Sequence, residues 1–308
     1  MKIVVSGSTG LIGSPLVEAL QRRGDEVVRL IRGPQPAGGG GGGGGALRWD
    51  PERGTIDRAG LEGVDAIIHL AGENVFGRWS AAKQQRIRDS RVQGTRVVSD
   101  AIAALTKRPA ALLAASAIGY YGDQGDQQLT ERSPAGGDFL AEVSRDWEAA
   151  TAPAARAGVR VVNMRFGVVL TPSGGALGKM LPPFRLGLGG PVGSGNQYVS
   201  WIELGDVVRA ILHLLERSDL SGPVNMTAPT PVTNRELATS LGKVLHRPSL
   251  MPVPAFAMKM AFGAEGAEML QSGQRVLPEL LVASGFKFRF ETIEPALRSL
   301  LAPTESGR

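Results

Sequence analysis

The sequence predicts an α/β protein: a doubly wound parallel sheet with a smaller mixed α/β lobe on its C-terminal side. Two observations carry this. Through the first half of the chain, nearly continuous apolar runs of strand length alternate with helix-length patterns, as strands covered on both faces and their crossover helices require. Beyond about residue 170 the alternation gives way to a stretch rich in Gly and Pro, then to shorter strands and separate helices.

The strands of the first half are KIVVS (2–6), EVVRLI (26–31), DAIIHLA (65–71), ALLAAS (111–116) and VRVVNMRFG (159–167). Between them the pattern predicts helices over 11–23, closed by Gly24, over about 80–105, and over about 138–157, weakened by Pro153 and closed by Gly158. Eight consecutive glycines at 38–45 have no side chains to bury and much backbone entropy to lose, which predicts a mobile loop, an inert linker after the second strand. In the second half, 171–197 reads as loop around a short helix. It is followed by a strand near YVSWI, a helix over 204–216, a strand GPVNM, and helices near 233–245, 254–262 and 292–301. The division is 1–170 for the first domain, with part of the chain near 200–230 returning to it, and 171–308 for the lobe. No internal repeat is visible.

Composition narrows the function classes. The chain has 34 Lys and Arg against 29 acids and a net charge of +5, but no dense basic run and only 5% aromatic residues, so nucleic acid is not an expected partner. Without cysteine there are no disulfides, no thiolate metal sites and no cysteine nucleophile. No apolar run reaches the roughly 18 residues of a membrane span, and the first residues carry no leader pattern. The expectation is a cytoplasmic protein away from the membrane, a monomer or homodimer with a small-molecule substrate.

GSTGLIG (7–13) lies between the first strand and the first helix, the context that gives a glycine motif meaning. Gly7 permits the tight turn, Gly10 lets the backbone approach a diphosphate, and Gly13 lets the helix sit close to the sheet. The helix N-terminus then faces the anion. This is the NAD(P)-binding Rossmann pattern. Ligands bind at the carboxyl ends of parallel strands, and there the second strand reads Leu30-Ile31-Arg32, whereas Asp25 and Glu26 lie at its other end. Arg32 is either a partner for the extra phosphate of NADP or a solvated loop residue; the first reading favours NADP over NAD.

These residues, with HLAGEN (69–74), SAIGYYG (116–122), GGDFLAEVSRDWEAA (136–150), PFRLGLGGPVGSGNQYVSWI (183–202) and NMTAPTPVTN (225–234), resemble the atypical extended short-chain dehydrogenase/reductases described as epimerase-like and sometimes labelled cell-division-inhibitor-like. The resemblance runs from Met1 to about Leu301 and includes, over about 250–300, a domain of unknown function found in that family. It implies a cofactor site in which Gly7, Ser8, Thr9, Gly10, Leu11, Ile12 and Gly13 line the diphosphate and Arg32 meets the ribose phosphate. Leu70, Ala71 and Gly72 would pass the adenosine half, and Val168 and Val169 would border the nicotinamide. In RVQGT (91–95), Arg91 replaces the family's asparagine; it either reaches the cofactor phosphates or lies on the helix surface.

Typical members of that superfamily deliver a proton from a tyrosine whose pKa is lowered by a lysine four residues on. None of the three tyrosines has that partner, and the resemblance places the two positions near Leu140 and Ser144. The candidate catalytic residues are therefore Ser116, as a carbonyl-orienting serine, and Tyr120 and Tyr121, as a displaced proton donor with Arg91 or Arg165 lowering its pKa; a packed turn is the alternative for the tyrosines. His69, within an apolar strand, reads as a core residue, and no His, Asp or Glu pair has metal-ligand spacing. The expected function is an NADP-dependent oxidoreductase or epimerase-like enzyme on a carbonyl or sugar-like substrate; the alternative is a non-catalytic NADP(H)-binding sensor or regulator.

Overall fold

In the computed structural model, residues 1–33, 46–253, 263 and 272–302 are described. Eight strands make one sheet: β1 (Lys2–Ser6), β2 (Glu26–Arg32), β3 (Ala46–Asp50), β4 (Thr55–Ile56), β5 (Ala66–His69), β6 (Ala111–Ala117), β8 (Arg160–Phe166) and β12 (Gly222–Met226). Their order across the sheet is β12-β8-β6-β5-β1-β2-β3-β4, and every pair but β3–β4 is parallel. The order reverses between β5 and β1, the switch point at which a doubly wound sheet opens a crevice above its carboxyl ends.

Both faces of the sheet are covered. On one, Leu16, Val17 and Leu20 of α1 (Gly13–Arg22) and Val207, Ile211 and Leu214 of α6 (Leu204–Glu216) pack on Ile3, Val5, Ile68, Leu113 and Met164. On the other, Val98 and Ile102 of α2 (Ala81–Ala103) and Ala154 of α4 (Ala152–Arg156) cover Val4, Leu30, Ile67 and Leu112. Burying each such side chain contributes about 1.5 to 3 kcal/mol. The alternation of covered faces is why these strands read as unbroken apolar runs.

The lobe has its own core. Leu177, Leu181 and Phe184 of α5 (Gly175–Arg185) meet Leu237 and Leu241 of α7 (Asn234–Leu245), Ile293 and Leu297 of α9 (Ile293–Leu301), and Trp201 of β11 (Trp201–Glu203). A Thr233–Glu236 capping box starts α7, and Glu203 caps α6. The fully buried Asp206 accepts the backbone N–H groups of Arg289 (2.9 Å) and Phe290 (3.0 Å), tying the C-terminal segment to the start of α6. The strand β9 (Val168–Thr171) pairs with β11, so the lobe begins immediately at the end of β8.

Two expectations change. The helix predicted over 138–157 is two: α3 (Phe139–Ala149) and α4, separated at Thr151, whose hydroxyl donates to the carbonyl of Glu148 at 2.7 Å. Pro153 falls in the first turn of α4, where its missing N–H costs nothing. The second is β3, which the sequence pattern did not reveal. Only Leu47 and Trp49 of its five residues are buried, and the Trp49 ring packs against α2 at Gly94, where a Cβ would stand in ordinary contact at 3.4 Å. The glycine run at 38–45 and the helix predicted over 254–262 lie outside the described residues.

Candidate functional site

The turn after β1 is packed so that each glycine has a separate duty. Gly7 has φ of 65°, and a Cβ on it would fall 2.8 Å from the carbonyl carbon of Leu70, so β1 and the segment after β5 touch backbone to backbone. A Cβ on Gly13 would lie 2.1 Å from the Gly7 oxygen, which seats α1 directly on the turn. Gly10 differs: a Cβ there would meet only the Gly7 oxygen, at 3.2 Å. Its duty is toward something outside the turn.

The same end of the sheet carries unmet polar capacity. The start of α1 has no side-chain cap and no acid in its first turn. Ser8 is buried, and its hydroxyl has no partner among the described residues. Arg32 is exposed at the end of β2, and Arg29, half-buried three residues earlier, reaches the Ser8 carbonyl at 3.5 Å. A helix N-terminus, an orphaned hydroxyl and nearby guanidinium groups are a donor set for a diphosphate. The residues present therefore fit a dinucleotide.

Beneath the crevice Ser6 and His69 bond to each other, while His69 Nε2 is buried with no partner among the described residues. Ser6 accepts the N–H groups of Leu70 (3.1 Å) and Ala71 (3.3 Å), so its single proton goes to His69 Nδ1 at 2.7 Å. His69 is thus the Nε2–H tautomer. Burial, with the Arg32 charge as a second cause, lowers its pKa to about 4. This neutral, fully buried ring, set edge-on to Trp49 at 5.6 Å, is a core residue as the sequence suggested.

Leu70, Ala71 and Gly72 follow β5 at the switch point, half-buried to exposed. Arg91 backs this segment. Its guanidinium donates to the carbonyls of Glu73 (3.1 Å) and Ile87 (3.2 Å) and lies over Trp147 at 5.0 Å, and desolvation pulls its pKa down to about 10. Opposite, Leu11 reaches the turn before α5, where a Cβ on Gly174 would stand 3.1 Å from its Cδ1. Val168 and Val169 are half-buried and in register with Trp201 and Ile202.

Ser116 and Tyr121 lie in one bonded network. Ser116, Arg165 and Asn225 stand level with one another on β6, β8 and β12. Ser116 donates its proton to Glu148 at 2.7 Å, and Arg165 binds both oxygens of Glu148, at 2.7 and 2.9 Å. Tyr121 donates to Asn225 at 2.7 Å and accepts from Arg165 at 2.9 Å. Ser116 is 2% exposed and Tyr121 0%. Burial pushes the Tyr121 phenol up to about 12 against the opposing pull of Arg165, and Arg91 is bonded elsewhere. The Ser116 proton is thus directed to Glu148 and the Tyr121 proton to Asn225. Tyr120 is half-buried with its ring 3.5 Å from the Arg165 guanidinium.

Glu148 and Asn225 were not among the expected site residues. Their signal was available: Leu140, Ser144 and Glu148 recur every four residues along α3, and the apolar runs of β6, β8 and β12 each turn polar at one level. Leu140 and Ser144 themselves lie against the turn carrying the tyrosines, 3.4 and 3.9 Å from where a Gly119 Cβ would be. Among the described residues no cluster of three His, Asp or Glu side chains could hold a metal ion, and no helix is long and apolar enough to cross a membrane.

A family model for the NAD dependent epimerase/dehydratase family matches residues 3–226, the stretch that contains the whole parallel sheet. The chain belongs to this family. Residues 253–300 match a domain of unknown function (DUF1731), as the C-terminal resemblance anticipated. An epimerase family protein of Mycobacterium bovis, Mb2239, is 45% identical over 296 residues, 96% of each chain. Human epimerase family protein SDR39U1, solved with NADPH, superposes with a TM-score of 0.88 at 36% identity, over 97% of this chain and 99% of that one. A nucleoside-diphosphate sugar epimerase from Corynebacterium glutamicum superposes with a TM-score of 0.76 at 36% identity, over 97% of this chain and 58% of that one. This epimerase-family fold bears out the Rossmann reading.

Proposed function

We propose that this chain is an NADP(H)-dependent oxidoreductase or epimerase-like enzyme of the cytoplasm, acting on a small carbonyl or sugar-like substrate. The observation that carries it is the under-satisfied end of β1: an uncapped helix and the orphaned Ser8 hydroxyl, both at the switch point of the sheet. The NADPH of the human SDR39U1 structure and the substrate class named for the Corynebacterium epimerase support it.

In this reading the turn from Gly7 to Gly13 holds the diphosphate and Arg32 the ribose phosphate. Leu70 to Gly72, backed by Arg91, border the adenosine half, and Val168 and Val169 the nicotinamide. A bound coenzyme supplies or accepts a hydride. The chain's own task is to orient the carbonyl and move one proton, and with Ser116 and Tyr121 committed, Tyr120 is the remaining candidate donor of the three. Residues 1–170 with the returning strand β12 form the cofactor domain, and the lobe from 171 closes the substrate side.

A second reading, a non-catalytic NADP(H)-holding regulator, is favoured by one observation: the hydroxyls of Ser116 and Tyr121 are both locked into the Glu148–Arg165 pair. Mixing the purified chain with NADPH and a panel of carbonyl compounds and nucleotide sugars separates the two. Loss of the reduced-nicotinamide absorbance with any compound supports the enzyme; tight binding without turnover across the panel supports the regulator.

A further inference from the structure

The strand that the sequence pattern missed carries a side chain that the cofactor reading leaves unused. Arg48 lies on β3 in register with Ile31, and Trp49 with Arg32, so β3 runs beside the end of β2 where the ribose phosphate is expected. Its guanidinium sits over the backbone of Gly33: a Cβ on that glycine would be 3.2 Å from Arg48 Nη1. The Gly33 N–H is fixed to the Trp49 carbonyl at 3.1 Å, which holds the two strand ends together.

Two guanidinium groups thus flank Gly33. Arg32 acts electrostatically toward His69 and Glu73, on the β5 side, and Arg48 approaches from β3. Among the described residues neither guanidinium has a hydrogen-bonding or ion-pairing partner. The nearby acids are occupied: Glu73 by Lys83 and Arg86, and Asp50 by the turn N–H groups of Glu52 and Arg53. The register sets Arg48 on the Ile31 face and Arg32 on the Trp49 face, so the two guanidinium groups stand on either side of the strand end, and an anion seated beyond Gly33 would accept bonds from both. Arginine suits this role because its planar fork meets phosphate oxygens in pairs.

We propose that Arg48 is a second reader of the ribose 2′-phosphate of NADP(H), closing on it from β3 while Arg32 closes from β2. The proposal rests on the dinucleotide reading above and adds the element that discriminates the phosphorylated coenzyme. Arg48 has no part in seating the diphosphate, so its contribution is confined to NADP(H).

The test is a fluorescence titration of the full chain with NADPH and, separately, with NADH, for the wild type, Arg48→Ala and Arg48→Lys. The expected result is a rise in the NADPH dissociation constant of about 10- to 100-fold in Arg48→Ala. NADH affinity should stay within about twofold, and Arg48→Lys, which keeps the charge but not the fork, should fall between. Arg48→Ala weakening both coenzymes equally would make Arg48 a structural residue and overturn the proposal, as would a variant that binds NADPH as tightly as the wild type does. If the wild type binds neither coenzyme, the dinucleotide reading itself fails and the proposal with it, a result distinct from the other two. Arg48→Lys keeps the comparison intact should the alanine variant unfold.

Discussion

At the carboxyl end of β1 a helix N-terminus and a buried hydroxyl stand without partners; a few strands away, at the level of Ser116, Arg165 and Asn225, side chains from three strands bond to one another. The first region offers an uncapped helix, the orphaned Ser8 hydroxyl and, among the described residues, two guanidinium groups with no hydrogen-bond or ion-pair partner. The second closes Ser116, Glu148, Arg165, Tyr121 and Asn225 into one network. Buried polar groups left unpaired cost about 1 to 3 kcal/mol each, free energy that an anion bonded at the end of β1 would recover. The contrast is between donors that face a crevice without a partner and side chains that close on one another.

If the network is scaffold, breaking it should show first in stability. Replacing Glu148 by Ala leaves the Arg165 guanidinium, whose side chain is 3% exposed, without its counter-charge. Urea unfolding should register a loss of about 3 to 5 kcal/mol. A change below about 1 kcal/mol would move the pair into the functional region.

Next in size is the acid response of the layer beneath the crevice. His69 titrates near 4 when folded and near 6.5 when unfolded, so its contribution is complete above pH 6.5 and is lost as pH falls toward 4. The slope is about 1.4 kcal/mol per pH unit, or about 3 kcal/mol across that window. A His69→Gln variant should flatten this dependence in pH-resolved chemical denaturation; an unchanged slope would mean that the ring is not held neutral.

Tyr121→Phe removes one hydroxyl from the network and leaves the Asn225 oxygen short of its donor, for an expected loss of about 1 to 3 kcal/mol with NADPH affinity intact. The wild-type phenol also predicts an alkaline limit. Its folded pKa of about 12 lies above the ordinary 10, so its contribution is present below pH 10 and is lost as pH rises toward 12. Spectrophotometric titration of the variant and the wild type identifies the late-ionising tyrosine.

The smallest effect on stability belongs to the region open for a ligand. Gly10→Ala meets only the Gly7 oxygen, at 3.2 Å, so unfolding should shift by less than about 1 kcal/mol while NADPH affinity falls at least about tenfold. Equal loss in both would erase the distinction between the two regions.

Much of this was legible in the residues, and what was not has a physical reason. The five buried strands of the first half declared themselves because both their faces are covered, and GSTGLIG declared the turn because its glycines are spaced by backbone contacts. β3 stayed hidden: a five-residue strand with two buried side chains, following a glycine run, has too short a period to read. The partners of Ser116 and Tyr121 stayed hidden for a different reason. The position of these two residues in the chain resembles that of catalytic groups, but whether a hydroxyl is free depends on Glu148, 32 residues from Ser116, and on Asn225, 104 residues from Tyr121. Pairings across that distance are set by strand register, which a single sequence does not print.

The claim on which the rest depends is that the end of β1 is built for a phosphorylated dinucleotide. Isothermal titration of the full chain with NADPH tests it most directly. A saturable heat with one coenzyme per chain, abolished by Gly10→Val, is the predicted result; absence of heat in the wild type, or an identical isotherm in the variant, contradicts it.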